Sequence, residues 1–197
     1  MKSGNNEGKI IMPSTSRRGF LAGASALGLA AAVSPTSVAA APKKGGHFRL
    51  GLGHGSTTDS LDPATFENLY MQVVGATLRN GLTEVDQNGN LVPELAESFN
   101  ASPDAKVWSF KLRKGVQFHN GKTFDSGDVI ASINHHRGKD SKSAAKKLLE
   151  PIVEMKADGP NGVIFTLSNG NADFPYIISD YHIAMMPKSG NGVDWKS

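Results

Sequence analysis

The stretch Val107-Trp108-Ser109-Phe110-Lys111-Leu112-Arg113 alternates apolar and polar residues, and this constrains the fold more than any other feature of the sequence. In an extended chain successive side chains point to opposite faces, so Trp108, Phe110 and Leu112 share one face and need a core to cover them. Residues 97–102, followed by the turn pair Pro103-Asp104, supply a neighbouring strand. A second pair is expected from residues 152–157 and 163–167, joined through Gly159-Pro160-Asn161-Gly162. Residues 82–86 and 91–92 read as a smaller hairpin across Gln87-Asn88-Gly89-Asn90, because Asn-Gly supplies the positive φ such turns need, and Pro93 closes it. Residues 47–52 alternate like a half-buried strand, and residues 182–186 read as a short apolar strand before Pro187.

Helical patterns lie between these strands. Residues 65–80 carry Leu69, Val73, Val74, Thr77 and Leu78 at helical spacing and stop before Gly81. Asp125 is placed to cap a helix running to Asn134, with Asp128 in its first turn and Val129, Ile130 and Ile133 as its buried stripe. The Lys- and Ala-rich residues 141–149 read as a solvated helix, and the histidines His135-His136 as surface residues near a helix end. Hairpins mixed with short helices, without an internal repeat, indicate a mixed α/β domain with α+β elements.

The chain begins with a polar start, then Ser16-Arg17-Arg18-Gly19-Phe20-Leu21, then a mild apolar run over residues 22–33. This is the pattern of an export signal, and Arg17 and Arg18 before Phe-Leu resemble the twin-arginine type. Val38-Ala39-Ala40 suits signal peptidase, so residues 1–40 are expected as the signal peptide, 41–46 as a linker and 47–197 as the domain. A membrane anchor needs about 20 strongly apolar residues, and this run is shorter and broken by Gly23, Ser25 and Gly28. Lys2, Lys9, Arg17 and Arg18 against Glu7 account for the whole formal charge of +3, leaving the remainder neutral and without a basic surface for nucleic acid. No cysteine is present, so neither a disulfide nor a thiol-linked lipid holds the exported domain.

Several short motifs, in this order, are shared with a known family: Ser60-Leu61-Asp62-Pro63, Asn80-Gly81-Leu82-Thr83-Glu84, Pro93-Glu94-Leu95-Ala96-Glu97-Ser98, and Lys111-Leu112-Arg113-Lys114-Gly115-Val116-Gln117-Phe118-His119-Asn120-Gly121. Asp128-Val129-Ile130 and Ser132-Ile133-Asn134 continue the match. Over residues 46–187 the chain resembles the N-terminal portion of the peptide and nickel class of solute-binding proteins of ATP-driven (ABC) importers. The resemblance implies part of one lobe of a periplasmic-binding-protein clamshell. It further implies capture of short peptides or related small solutes in the periplasm and delivery to an ABC permease in the inner membrane, by a monomer and without catalysis. An exported hydrolase and an inactive truncated remnant are the alternatives. Against the former, there is no Gly-x-Ser-x-Gly elbow, no His-Glu-x-x-His motif and no cysteine nucleophile.

Ligand contacts are expected at two places. The glycines around His54 let main-chain amides approach a ligand, and Ser56 or Thr57 can hydrogen-bond it. By the resemblance, Thr65, Phe66, Glu67 and Asn68 also lie toward the cleft, although a helix start and its cap explain the same residues without a ligand. Gly115 and Gly121 read as turn residues, Phe118 as a core residue and His119 as packed or hydrogen-bonded. Adjacent helical residues point in different directions, so His135 and His136 do not chelate one metal ion. No residue pattern calls for a metal or a cofactor.

Overall fold

A computed structural model of the chain describes residues 45–196. The expected signal peptide, Arg17, Arg18 and residues 41–44 of the linker lie outside the described residues. From Arg49 onward the chain packs as one unit.

In chain order the elements are α1 (Leu69–Leu78), β1 (Thr83–Val85), β2 (Leu91–Pro93), β3 (Ala96–Ala101), β4 (Val107–Leu112), α2 (Ser126–Arg137), β5 (Ile152–Ala157), β6 (Gly162–Leu167), α3 (Phe174–Ile177), β7 (Lys188–Ser189) and β8 (Gly192–Val193). Short 3-10 turns occupy Pro63–Thr65 and Ala144–Leu149. Four strands form an antiparallel sheet in the order β3-β4-β6-β5, and the pairs β1-β2 and β7-β8 are separate hairpins. The architecture is mixed α/β, with α2 and the Ala144–Leu149 turn inserted between the two halves of the sheet.

The alternation in β4 buries the expected face: Trp108, Phe110 and Leu112 enter a core with Ile152 of β5 and Val163, Phe165 and Leu167 of β6. Register explains the convergence, since Trp108 lies opposite Phe165 and Phe110 opposite Val163. The Phe110 and Phe165 rings meet edge-on at 5.4 Å, and Phe174 of α3 packs beside Phe165 at 5.3 Å. Val129 and Ile133 of α2 close the core, while the other sheet face keeps polar pairs such as Lys111–Glu97 in solvent.

Local side-chain chemistry sets the start of α2. Asp125 accepts hydrogen bonds from the Gly127 and Asp128 amides, and the Asp128 carboxylate accepts from the Asp125 amide, giving a reciprocal capping box. Asp128 is fully buried, and Lys122 Nζ lies 2.6 Å from both of its oxygens. In the β1-β2 hairpin Gly89 takes φ +82°, and the Asp86 carboxylate collects the Asn88 and Asn90 amides, so the turn holds itself.

Four expectations are corrected. The helix expected over residues 65–80 starts at Leu69, because Asn68 caps it by accepting the Met71 amide, and Pro63–Thr65 forms its own turn capped by Asp62. Its buried positions are Met71 and Gly75, whereas Leu69 is 54% exposed. The ring of Phe66 fills the space over Gly75, so a methyl group there would come within 2.4 Å of Phe66 Cε2.

Residues 47–52 do not form a strand: among the described residues no main chain pairs with them, and Leu50 is 55% exposed. Alternation offers a face to bury, but a strand also needs a neighbour for its amides. Residues 141–149 are not a solvated helix, since Ala145 and Leu149 are fully buried in the core and the chain tightens into a 3-10 turn capped by Ser143. Residues 182–186 are buried as expected but not as a strand; the Met185 amide bonds to Asn80 O and the Met186 amide to Ser132 Oγ, so isolated partners replace a ladder.

Candidate functional site

Two chain segments face each other across a groove of about 630 Å³. One wall is the turn that carries Asp62, Ala64, Thr65 and Glu67; the other is His135 at the end of α2 with residues 138–143. Asp62 ties the walls together. Its Oδ1 accepts the Ala64 amide at 3.0 Å and lies 2.7 Å from His135 Nε2, while its carbonyl accepts the Thr65 hydroxyl at 2.8 Å. Burial opposes ionisation of Asp62, but the bonds from His135 and Ala64 and the nearby imidazoles hold its carboxyl below the usual range. Glu67, Lys139, Asp140 and Lys142 bring charges of both signs to the lining, and Thr65, Ser141 and Ser143 bring hydroxyls.

The expected contact residues divide. Thr65 and Glu67 line the groove. Ser56, Thr57 and His54 are exposed on the preceding loop, where His54 adopts φ +68°. Ser56 is engaged locally, its amide donating to Asp59 Oδ2 and its hydroxyl lying 2.9 Å from that of Thr58. Asn68 is committed to the α1 cap and donates to Asp59 Oδ1 at 2.8 Å. Phe66 is 1% exposed, with its ring beneath α1 and its carbonyl 2.8 Å from His182 Nε2, so its side chain supports the wall from behind.

Arg79 at the end of α1 also braces this segment. It is partly buried, which lowers its pKa against the opposing pull of Asp62 and Asp194, and it donates to the carbonyls of Leu61 and Trp195. His119, in the Lys111–Gly121 motif, is hydrogen-bonded through Nε2 to Leu78 O at 3.0 Å, and Phe118 packs edge-on against Phe124 at the core margin.

The neighbouring histidines are not surface residues. His136 is fully buried, with Nδ1 2.7 Å from Ser143 Oγ, and His135 is partly buried against Asp62. Residue 136 follows Val129 and Ile133 at spacings of four and three, so it belongs to the buried stripe of α2. Burial, followed by the charge of His135, pushes the His136 pKa down to about 4. Among the described residues His136 Nε2 has no hydrogen-bond partner. Among the described residues no carboxylate orients the Ser143–His136 pair, and Ser143 is buried, so these residues do not form a nucleophile–base–acid set. Among the described residues no three His, Cys, Asp or Glu side chains are grouped to hold a metal ion.

The chain is 29% identical over 163 residues to the glutathione-binding protein GsiB of Escherichia coli O1:K1 / APEC, a match covering 82% of this chain and 30% of that protein. The structure is similar to that of the binding protein AgaA of A. tumefaciens R10 in complex with agropinic acid, with TM-score 0.63, 29% identity, and coverage of 65% of this chain and 26% of that one. It is also similar to NikZ of Campylobacter jejuni in complex with Ni(L-His), with TM-score 0.57, 29% identity, and coverage of 64% and 25%. The mixed α/β fold is thus that of part of a periplasmic-binding-protein lobe, and the chain spans less than a third of the length of these relatives. Residues 90–197 match the family described as bacterial extracellular solute-binding proteins, family 5, middle region, and the chain belongs to that family.

Proposed function

We propose that the protein is the periplasmic substrate-binding component of an ABC importer and that it captures short peptides or related small solutes. The observation that carries this reading is the open groove at Asp62, Thr65, Glu67 and residues 138–143, whose lining combines hydroxyls, carboxylates and ammonium groups without a reactive constellation. Such a lining suits a small ligand bearing both charges and amide groups. Glutathione, named for the GsiB relative, is a tripeptide of that kind. Ligand contacts are assigned to Thr65 and Glu67 directly, to His54, Ser56 and Thr57 from the adjoining loop, and to Phe66 and Asn68 as supports.

When intact the protein works as a monomer with an ABC permease of the inner membrane, takes no cofactor and has no nucleic-acid partner. Export uses the leader with Arg17 and Arg18. Replacing both by lysine is expected to leave precursor in the cytoplasm; normal export of that variant excludes the twin-arginine route.

Calorimetric titration with glutathione and with di- to pentapeptides, combined with chromatography of the recovered ligand, tests the reading. Saturable binding with intact ligand is expected. Hydrolysed ligand would instead establish an enzyme.

A further inference from the structure

The two walls of the groove at Asp62 differ in the sign of their charge. On the turn before α1 the charged lining residues are Asp62 and Glu67, both acidic. On the loop after α2, Lys139 and Lys142 line the groove beside Asp140. The ammonium group of Lys146 sits against the same loop, donating to the carbonyls of Lys139 and Ser141 at 2.8 and 3.4 Å. Three ammonium groups there outweigh the single carboxylate of Asp140, so a net positive loop faces a net negative turn.

Asp62 apart, the fold does not use the acidic and basic side chains that line this groove. Asp62 is taken up by His135 and the Ala64 amide. Glu67, Lys139, Asp140 and Lys142 are exposed, and among the described residues none of them is in an ion pair. The loop is held by other bonds: the Ser141 amide donates to Gly138 O, the Ser143 amide to Ser141 Oγ, and Ser143 Oγ meets the buried ring of His136. Both walls therefore stand without the side chains of Glu67, Lys139 and Lys142, whose charges remain for a ligand.

We propose that this polarity fixes the direction in which a peptide-like solute lies in the groove, with its free α-ammonium group against Glu67 and its carboxylate end against Lys139 and Lys142. In that direction opposite charges meet at both ends; turned end for end, the same ligand brings like charges together at both. A groove of about 630 Å³ has the size of a small-molecule site, so both ends of a ligand of a few residues are within it. The inference rests on the function proposed above and adds to it a direction and a demand for free termini. Because the charged groups are exposed and screened by salt, each terminus should count for about three- to fivefold in affinity.

The test is an amide chemical-shift titration of the full chain with trialanine, N-acetyl-trialanine and trialanine amide. In the wild type, blocking either end should weaken binding about three- to fivefold. Shift differences between trialanine and its N-acetyl form should fall at residues 65–67, and those between trialanine and its amide at residues 138–143. In Glu67→Gln acetylation should no longer matter while amidation still does, and in the Lys139→Gln/Lys142→Gln double variant the reverse should hold. Saturable binding with the two sets of shift differences exchanged, or with blocked and free peptides bound equally well, overturns the proposal and leaves the peptide-binding function standing. The wild-type comparison decides this even if a variant does not fold. If none of the three peptides produces saturable changes, the proposed function is refuted and the direction with it.

Discussion

Asp62 Oδ1 lies 2.7 Å from His135 Nε2, joining the turn before α1 to the far end of α2 across 73 residues of chain. The same oxygen accepts the Ala64 amide, so one carboxylate both caps a turn and closes the base of the groove. Asp62→Ala should destabilise the domain by about 1–3 kcal/mol, as loss of a cap together with a partly buried charged hydrogen bond does. The folded carboxyl is held below its unfolded value. Its contribution is therefore complete above the unfolded pKa and lost as the pH falls through the folded one. Urea midpoints should separate wild type from Asp62→Ala at pH 7 and bring them together toward pH 3.

His136 acts in a higher window. Its folded pKa of about 4 lies below the ordinary value of 6.5, so below pH 6.5 the unfolded chain takes up a proton that the folded chain refuses. Stability rises with pH across that interval, and about 3 kcal/mol is lost on going from pH 7 to below pH 4. A neutral substitution, His136→Gln, should be less stable at pH 7 but should flatten the pH dependence between pH 4 and 6.5. An unchanged slope in the denaturant midpoints would assign the acid sensitivity to other groups.

Gly75→Ala should cost about 2 kcal/mol, since the added methyl meets the Phe66 ring at 2.4 Å and a buried aromatic ring has little room to yield. Phe66→Leu should also destabilise by itself, through lost ring contact. In the double variant the two costs should fall short of their sum, and a double-mutant cycle on chemical denaturation measures the coupling. Simple additivity would mean that the two residues do not pack together in solution.

Trp108→Ala should destabilise by about 3–5 kcal/mol. The ring sits 6.2 to 6.5 Å from those of Phe99, Phe110 and Phe174, and its Nε1 donates to the carbonyls of Ala105 and Asn171. Truncation leaves a void and removes both indole hydrogen bonds, while the Ala105 carbonyl keeps the Asn171 amide and the Asn171 carbonyl the Phe174 amide. The denaturant midpoint checks this directly, and an unchanged value would place Trp108 outside the core.

The sheet was legible in the sequence because strand alternation reports burial on a local period, and β3 to β6 fall where Trp108, Phe110 and the turn residues place them. Residues 47–52 and 182–186 carried similar patterns and formed no strands, since pairing depends on a neighbour that a local pattern does not reveal. At the groove, the wall residues Thr65 and Glu67 were visible, but Asp62–His135 and His182–Phe66 link positions 73 and 116 residues apart. One missed signal was present: His136 continues the apolar spacing of Val129 and Ile133, which marks it as buried, whereas the His-His pair drew attention to metals and the surface.

In the proposed function a small peptide-like solute meets this chain at the Asp62–Glu67 wall. Amide chemical-shift mapping of the isotope-labelled chain with glutathione and tripeptides tests that most directly, because shift changes report where a ligand sits even when it binds weakly. Changes concentrated at Thr65, Glu67, His135 and residues 138–143, saturating with ligand and diminished in Glu67→Gln, are the predicted result. Saturating changes confined to the outer face of the β3-β4-β6-β5 sheet, with the groove unperturbed, would contradict it.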